Sequence, residues 1–108
     1  MVSEDRKGLA TVSEAAKAGN AAEATQLFHD WVNGKPGDFD GLPPATKSML
    51  LDNARTAPVH LSAPPPVPLT CAQLGQLKVP VTITKGEMTR PFFRVLSEAA
   101  HRCIPGSQ

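Results

Sequence analysis

Val79-Pro-Val-Thr-Ile-Thr-Lys-Gly86 is the stretch on which the fold turns. Val79, Val81 and Ile83 alternate with Pro80, Thr82 and Thr84, and β-branched residues dominate. That period of two predicts a short strand over 79–85, with Pro80 at its entry and Gly86 at its end. Downstream, Thr89 is the expected cap and Pro91 the first-turn residue of a helix over 90–103. Phe92, Val95, Leu96 and Ala99, with Phe93, Ala100 and Cys103, give this helix a broad apolar flank, suited to packing on a sheet. A lone strand has open hydrogen-bonding edges, so its partners are expected in another chain or another part of the gene product.

Working back from that stretch, Thr70 and Gln73 spell a capping box for a short helical turn carrying Leu74 and Leu77. Before it, Pro64, Pro65, Pro66 and Pro68 fall in a segment, Ala57 to Leu69, that reads as a stiff connector. A PxxP-type ligand is the minor alternative. Three helices are expected further upstream. One runs over about 9–18, with a weak stripe of Val12, Ala15 and Ala16, and stops at Gly19. The next starts at Asn20, which with Glu23 has the spacing of a capping box. It carries Ala24, Leu27, Phe28, Trp31 and Val32 on one face and stops at Gly34 and Pro36. The third starts at Pro43-Pro44, turns Met49, Leu50 and Ala54 inward, and ends before Pro58.

The 108 residues are 41% apolar and 19% charged, with a net charge of +1. This allows one modest domain and no bilayer-spanning run, and the balanced charge argues against a nucleic-acid partner. A membrane partner is not expected either. The opening residues lack the apolar core of a secretory signal, which makes the cytoplasm the default location. Cys71 and Cys103 have neither zinc-knuckle nor CxxC spacing. Two free thiols are the favoured expectation for them, with a disulfide as the alternative. His29, His60 and His101 share no ligand spacing, so no metal and no cofactor is expected. Ser13, Ser48, Ser62, Ser97 and Ser107 lack a nucleophile context.

The segment Leu77-Lys-Val-Pro-Val-Thr-Ile-Thr-Lys-Gly-Glu-Met-Thr-Arg-Pro91 resembles the penultimate strand and adjoining turn of α/β-hydrolase fold enzymes. Helix 91–102 and the ending Ile104-Pro105-Gly106-Ser107 are similar to the helix and turn that lead those enzymes into their last strand. Trp31-Val32-Asn33-Gly34, Leu50-Leu51-Asp52-Asn53 and the proline run look like the family's helical lid. The resemblance implies a mostly α chain with one short strand: a lid-like region with connector over 1–69, and a partial α/β core over 70–108. It implies a parent activity of ester or related acyl hydrolysis. It also implies that the rest of the hydrolase core is the missing partner.

The family's machinery is a nucleophile–His–acid triad with a Gly-x-Ser-x-Gly elbow. No such elbow is present here, no histidine lies beyond the last helix, and Thr89 occupies a usual acid position. Glu87 is therefore the remaining candidate acid, and the isolated chain is expected to be inactive. Phe28, Trp31, Phe39, Met49 and Leu50 are the candidate pocket walls, with a helical core as their plainer role. The alternative to the hydrolase reading is a small helical protein-interaction module without catalytic activity, able to self-associate through apolar helix faces.

Overall fold

The computed structural model describes residues 3–64 and 66–108. Met1, Val2 and Pro65 of the proline run lie outside the described residues. The chain divides into two compact units, Met1–Pro64 and Pro65–Gln108. Unit 1 contains α1 (Ser3–Lys17), α2 (Ala21–Asn33), a 3-10 turn (Phe39–Gly41), α3 (Pro44–Asp52), a second 3-10 turn (Ala54–Thr56) and α4 (Ala57–Ser62). Unit 2 contains α5 (Cys71–Leu74) and α6 (Pro91–Cys103). Among the described residues there is no strand, and no helix is long and apolar enough to cross a membrane.

This corrects the strand over 79–85 and, with it, the mostly α fold with a β-α unit. Residues 79–85 run without helix or ladder. Among the described residues two backbone bonds hold the β-branched run: Ile83 donates its N–H to the Gln108 carbonyl at 2.6 Å, and Gln108 donates to Val81 at 3.1 Å. Pro80 has no donor to offer, and Thr82 and Thr84 face solvent. β-branching suits a strand but supplies no partner for one. Nor does α6 pack on a sheet. None of its residues is fully buried, and Val95 and Leu96 are 61% and 53% exposed. The regular structure among the described residues is all helical, which removes the reading as an α/β-hydrolase fragment with a lid.

In unit 1, helices α1, α2 and α4 meet through small residues. Ala15, Ala16, Ala24 and Ala57 are buried against one another, with Leu27 and Leu61 packed alongside. Alanine lets helix axes approach closely without any loss of helix propensity. Val12 is buried beside them on α1. Further along that helix, a Cβ on Gly8 would sit 2.7 Å from Cδ1 of Trp31, so the indole needs glycine there. The Trp31 Nε1–H donates to the Asp5 carbonyl at 2.9 Å.

Several boundaries differ from those expected. The first helix begins at Ser3, not near residue 9, and Asp5 in its opening turn suits the positive end of the helix dipole. Asn20 makes no capping bond to the backbone. Its amide instead donates to the Glu23 carboxylate at 3.3 Å, so the expected box is absent. Gly34 takes the left-handed φ of 65° that ends α2. The largest change falls on the supposed connector. Pro58 does not end a helix but lies in the first turn of α4, where a missing N–H costs no hydrogen bond. At the far end, Arg90 and not Thr89 occupies the N-cap of α6.

The Thr70 capping box forms in full. Thr70 Oγ1 accepts from the Gln73 N–H at 3.1 Å, and Gln73 Oε1 accepts from the Thr70 N–H at 2.8 Å. It opens α5, whose Cys71 is joined to Cys103 at the end of α6. The favoured expectation of two free thiols is thereby replaced by a disulfide.

Candidate interaction site

A cleft of about 410 Å³ opens in unit 1 between α2, α3 and α4. Thr25 and Phe28 line it from α2, at the three-residue spacing that places side chains on one helix face. Leu50 comes from α3, Asn53 and Thr56 from the turn beyond it, and Ala57, His60 and Leu61 from α4. Two side chains shape that turn. Asn53 donates its amide to the Met49 carbonyl at 2.9 Å, satisfying an acceptor at the end of α3. Thr56 donates its hydroxyl to the Asn53 carbonyl at 2.9 Å. The chain is thus redirected so that α4 brings Ala57 and Leu61 both to the α1–α2 alanine cluster and to the cleft.

Hydrogen bonding tilts the rim toward acceptors. The Thr25 hydroxyl proton is committed to the Ala21 carbonyl at 2.9 Å. The Thr56 hydroxyl is committed likewise, and the Asn53 amide is engaged by Met49. What the two threonines still offer an incoming molecule is oxygen lone pairs, whereas Asn53 keeps its side-chain carbonyl and a second amide proton. His60 is exposed at the edge of the cleft.

Of the candidate pocket walls, the structure brings Phe28 and Leu50 together in this cleft. Trp31 is elsewhere, stacked on the Phe28 ring at 6.0 Å and covering Gly8. Phe39 is 3% exposed and meets the His29 ring edge-on at 5.8 Å. Met49 points to solvent, 56% exposed. Glu87 lies in an exposed turn of unit 2 and lines neither of the cavities described. Thr25, Asn53, Thr56, Ala57, His60 and Leu61 were not among the expected walls. The available signal was Ala57 and Leu61 at i,i+4, hidden by reading Pro58 as a terminator.

Unit 2 has a smaller cavity of about 180 Å³, lined by Ile83, Lys85, Ser97, Glu98, His101 and Gln108. Lys85, Glu98 and His101 give it titratable groups. Ser107 Oγ lies 3.1 Å from the His101 carbonyl and 2.8 Å from His101 Nδ1, a contact whose donor is set by the imidazole tautomer. Ser97 donates its hydroxyl to the Phe93 carbonyl at 2.9 Å. Among the described residues no group of three His, Cys, Asp or Glu side chains is placed to hold a metal.

Lys85 Nζ meets Glu98 Oε1 at 2.9 Å. The hydrogen bond and charge of Lys85 hold the Glu98 carboxyl below its ordinary value, with smaller help from Arg94 and Arg102. The folded-state value being depressed, this pair's support is present above the ordinary carboxylate range and is lost as pH falls through the lowered value. In a Lys85→Ala variant the Glu98 midpoint, followed by carboxyl-carbon NMR, moves up toward that of a free glutamate. An unmoved midpoint contradicts the pairing.

Site and fold together define a helical chain with an open apolar cleft, and no metal cluster is assembled among its described residues. No family model, curated protein or solved structure matches the chain.

Proposed function

We propose that the chain is a helical protein-interaction module whose unit 1 cleft receives an amphipathic helix from a partner protein. The observation that carries this reading is the cleft's division of labour. Phe28, Leu50, Ala57 and Leu61 form an apolar floor, and Thr25, Asn53 and Thr56 form a polar rim whose two hydroxyl protons are already committed, so that acceptors outnumber donors there. Such a groove suits apolar side chains at i, i+3, i+4 and i+7 on the incoming helix. Its rim calls for donors beside that ridge, which means lysine, arginine or serine. The charge of unit 1 agrees, with eight carboxylates against six Lys and Arg over residues 1–64. Phe28, Met49, Leu51 and Val59 on the three surrounding helices remain exposed and add apolar surface for a partner to cover.

The test is titration of the full chain with a peptide carrying leucines at that spacing and flanking lysines. Binding is followed by backbone NMR shifts. Saturable binding is expected, with shifts centred on residues 25–28 and 50–61, and Leu50→Asp weakens it by about tenfold or more. Unperturbed α1 amides in Leu50→Asp serve as the folding control. The reading fails if the peptide does not bind, if Leu50→Asp binds equally well, or if the cleft is already covered by a second copy of the chain.

A further inference from the structure

We infer that unit 2 is a redox-conditional fold, standing while Cys71 and Cys103 are joined and dissolving when they are reduced, with unit 1 left folded. Unit 2 has very little core. Among its described residues only Ile104 is buried, at 7% exposure. Val79, Met88, Val95 and Leu96 are each more than half exposed. Burial on this scale falls well short of the conformational entropy of ordering more than forty residues. Chains of that size ordinarily need a cross-link, a metal or a partner.

The non-covalent ties of unit 2 are few. They include the exposed Lys85–Glu98 pair, the two backbone bonds to Gln108, the Thr70 capping box and the close approach of Gly75 to the Cys103 carbonyl. The disulfide is of a different order. It joins residues 32 apart in sequence and fastens the four-residue α5 to the last turn of α6. Closing so long a loop removes a large share of the unfolded chain's freedom. Unit 1 contains neither cysteine and has its own buried contacts.

Access favours the switch, because Cys71 is exposed and Cys103 half-buried. The reductant is a dithiol, either a protein CxxC pair or dithiothreitol. Its thiolate attacks one sulfur of the Cys71–Cys103 bond, giving a mixed disulfide and releasing the other cysteine as a thiolate. The second thiol of the reductant then closes its own disulfide and expels the remaining cysteine. Two electrons and two protons pass to the chain, and the dithiol leaves oxidised. In a reducing cytosol the chain would present unit 1 alone; in an oxidising compartment it would present both units.

The experiment is hydrogen exchange with peptide-level resolution on the full chain in three states: oxidised, reduced with dithiothreitol, and as the Cys71→Ser/Cys103→Ser variant. Protection of α6 amides is expected to fall by about two to three orders of magnitude in the last two states, the factor that a loop of this length is worth. Peptides from α1 and α2 keep their protection, and reoxidation of the reduced wild-type chain restores α6. Two results overturn the inference: α6 protection that survives reduction, or loss of protection in α1 and α2 together with α6.

Discussion

Replacing Phe39 by alanine is expected to lower the stability of unit 1 by about 3–5 kcal/mol, at the range measured for large aromatic truncations in cores. The upper part of that range applies because the site cannot collapse. Asp30 on α2 holds the loop around Phe39 with both carboxylate oxygens. One accepts from the Phe39 N–H at 2.8 Å and the other from the Gly37 N–H at 2.9 Å. His29 Nε2 adds a contact to Asp38 Oδ2 at 3.1 Å. None of these bonds uses the phenyl ring, so the loop stays in place and the cavity remains. For a unit of this size the melting temperature should drop by at least about 12 °C. Met49→Ala is the control: its side chain is mostly in water and its removal should fall within about 0.5 kcal/mol. Equal effects of the two substitutions, by thermal or urea unfolding, would contradict the burial of Phe39.

Ala24→Leu is the second large effect. Ala24 is 0% exposed, at the point where α2 meets Ala15 and Ala16 of α1 and Ala57 of α4. A leucine there must push helices apart or leave its preferred rotamers, which costs about 1–3 kcal/mol in a well-packed core and more where backbones are this close. Helix propensity does not offset it, since leucine is no better than alanine. Ala22→Leu, two residues earlier on the exposed side of α2, makes the same chemical change without the crowding and should be close to neutral. A stable Ala24→Leu variant with an unchanged urea midpoint would show that the three helices are not in contact through alanine.

These two positions show what could and could not be read from the residues. The α2 face, its Gly34 stop and the Thr70–Gln73 box were legible because each depends on neighbours within four positions. Val12, Ala15 and Ala16 were legible as a stripe, though its weakness hid the fact that small size was its use. Pro58 misled because proline ends one helix and starts another with the same ring; only the packing of Ala57 and Leu61 decides between them. Residues 79–85 misled for a related reason. β-branching describes what a backbone tolerates, whereas a strand also needs a neighbour. Here just two bonds to Gln108 answer that need. The resemblance to hydrolases was carried by that same run, and the correction of one removes the other. Within the cleft, Phe28 and Leu50 stood out as large apolar residues on helices. Thr25, Asn53 and Thr56 did not, because their part comes from where their protons are already committed.

The Cys71–Cys103 link also has a covalent consequence. Residues 71–103 form a macrocycle, and Lys78, Lys85, Arg90, Arg94 and Arg102 all lie on its circumference. A single peptide-bond cleavage at any of them adds one water and opens the circle without parting the molecule. The two halves come away from each other only when the sulfur–sulfur bond is also cut.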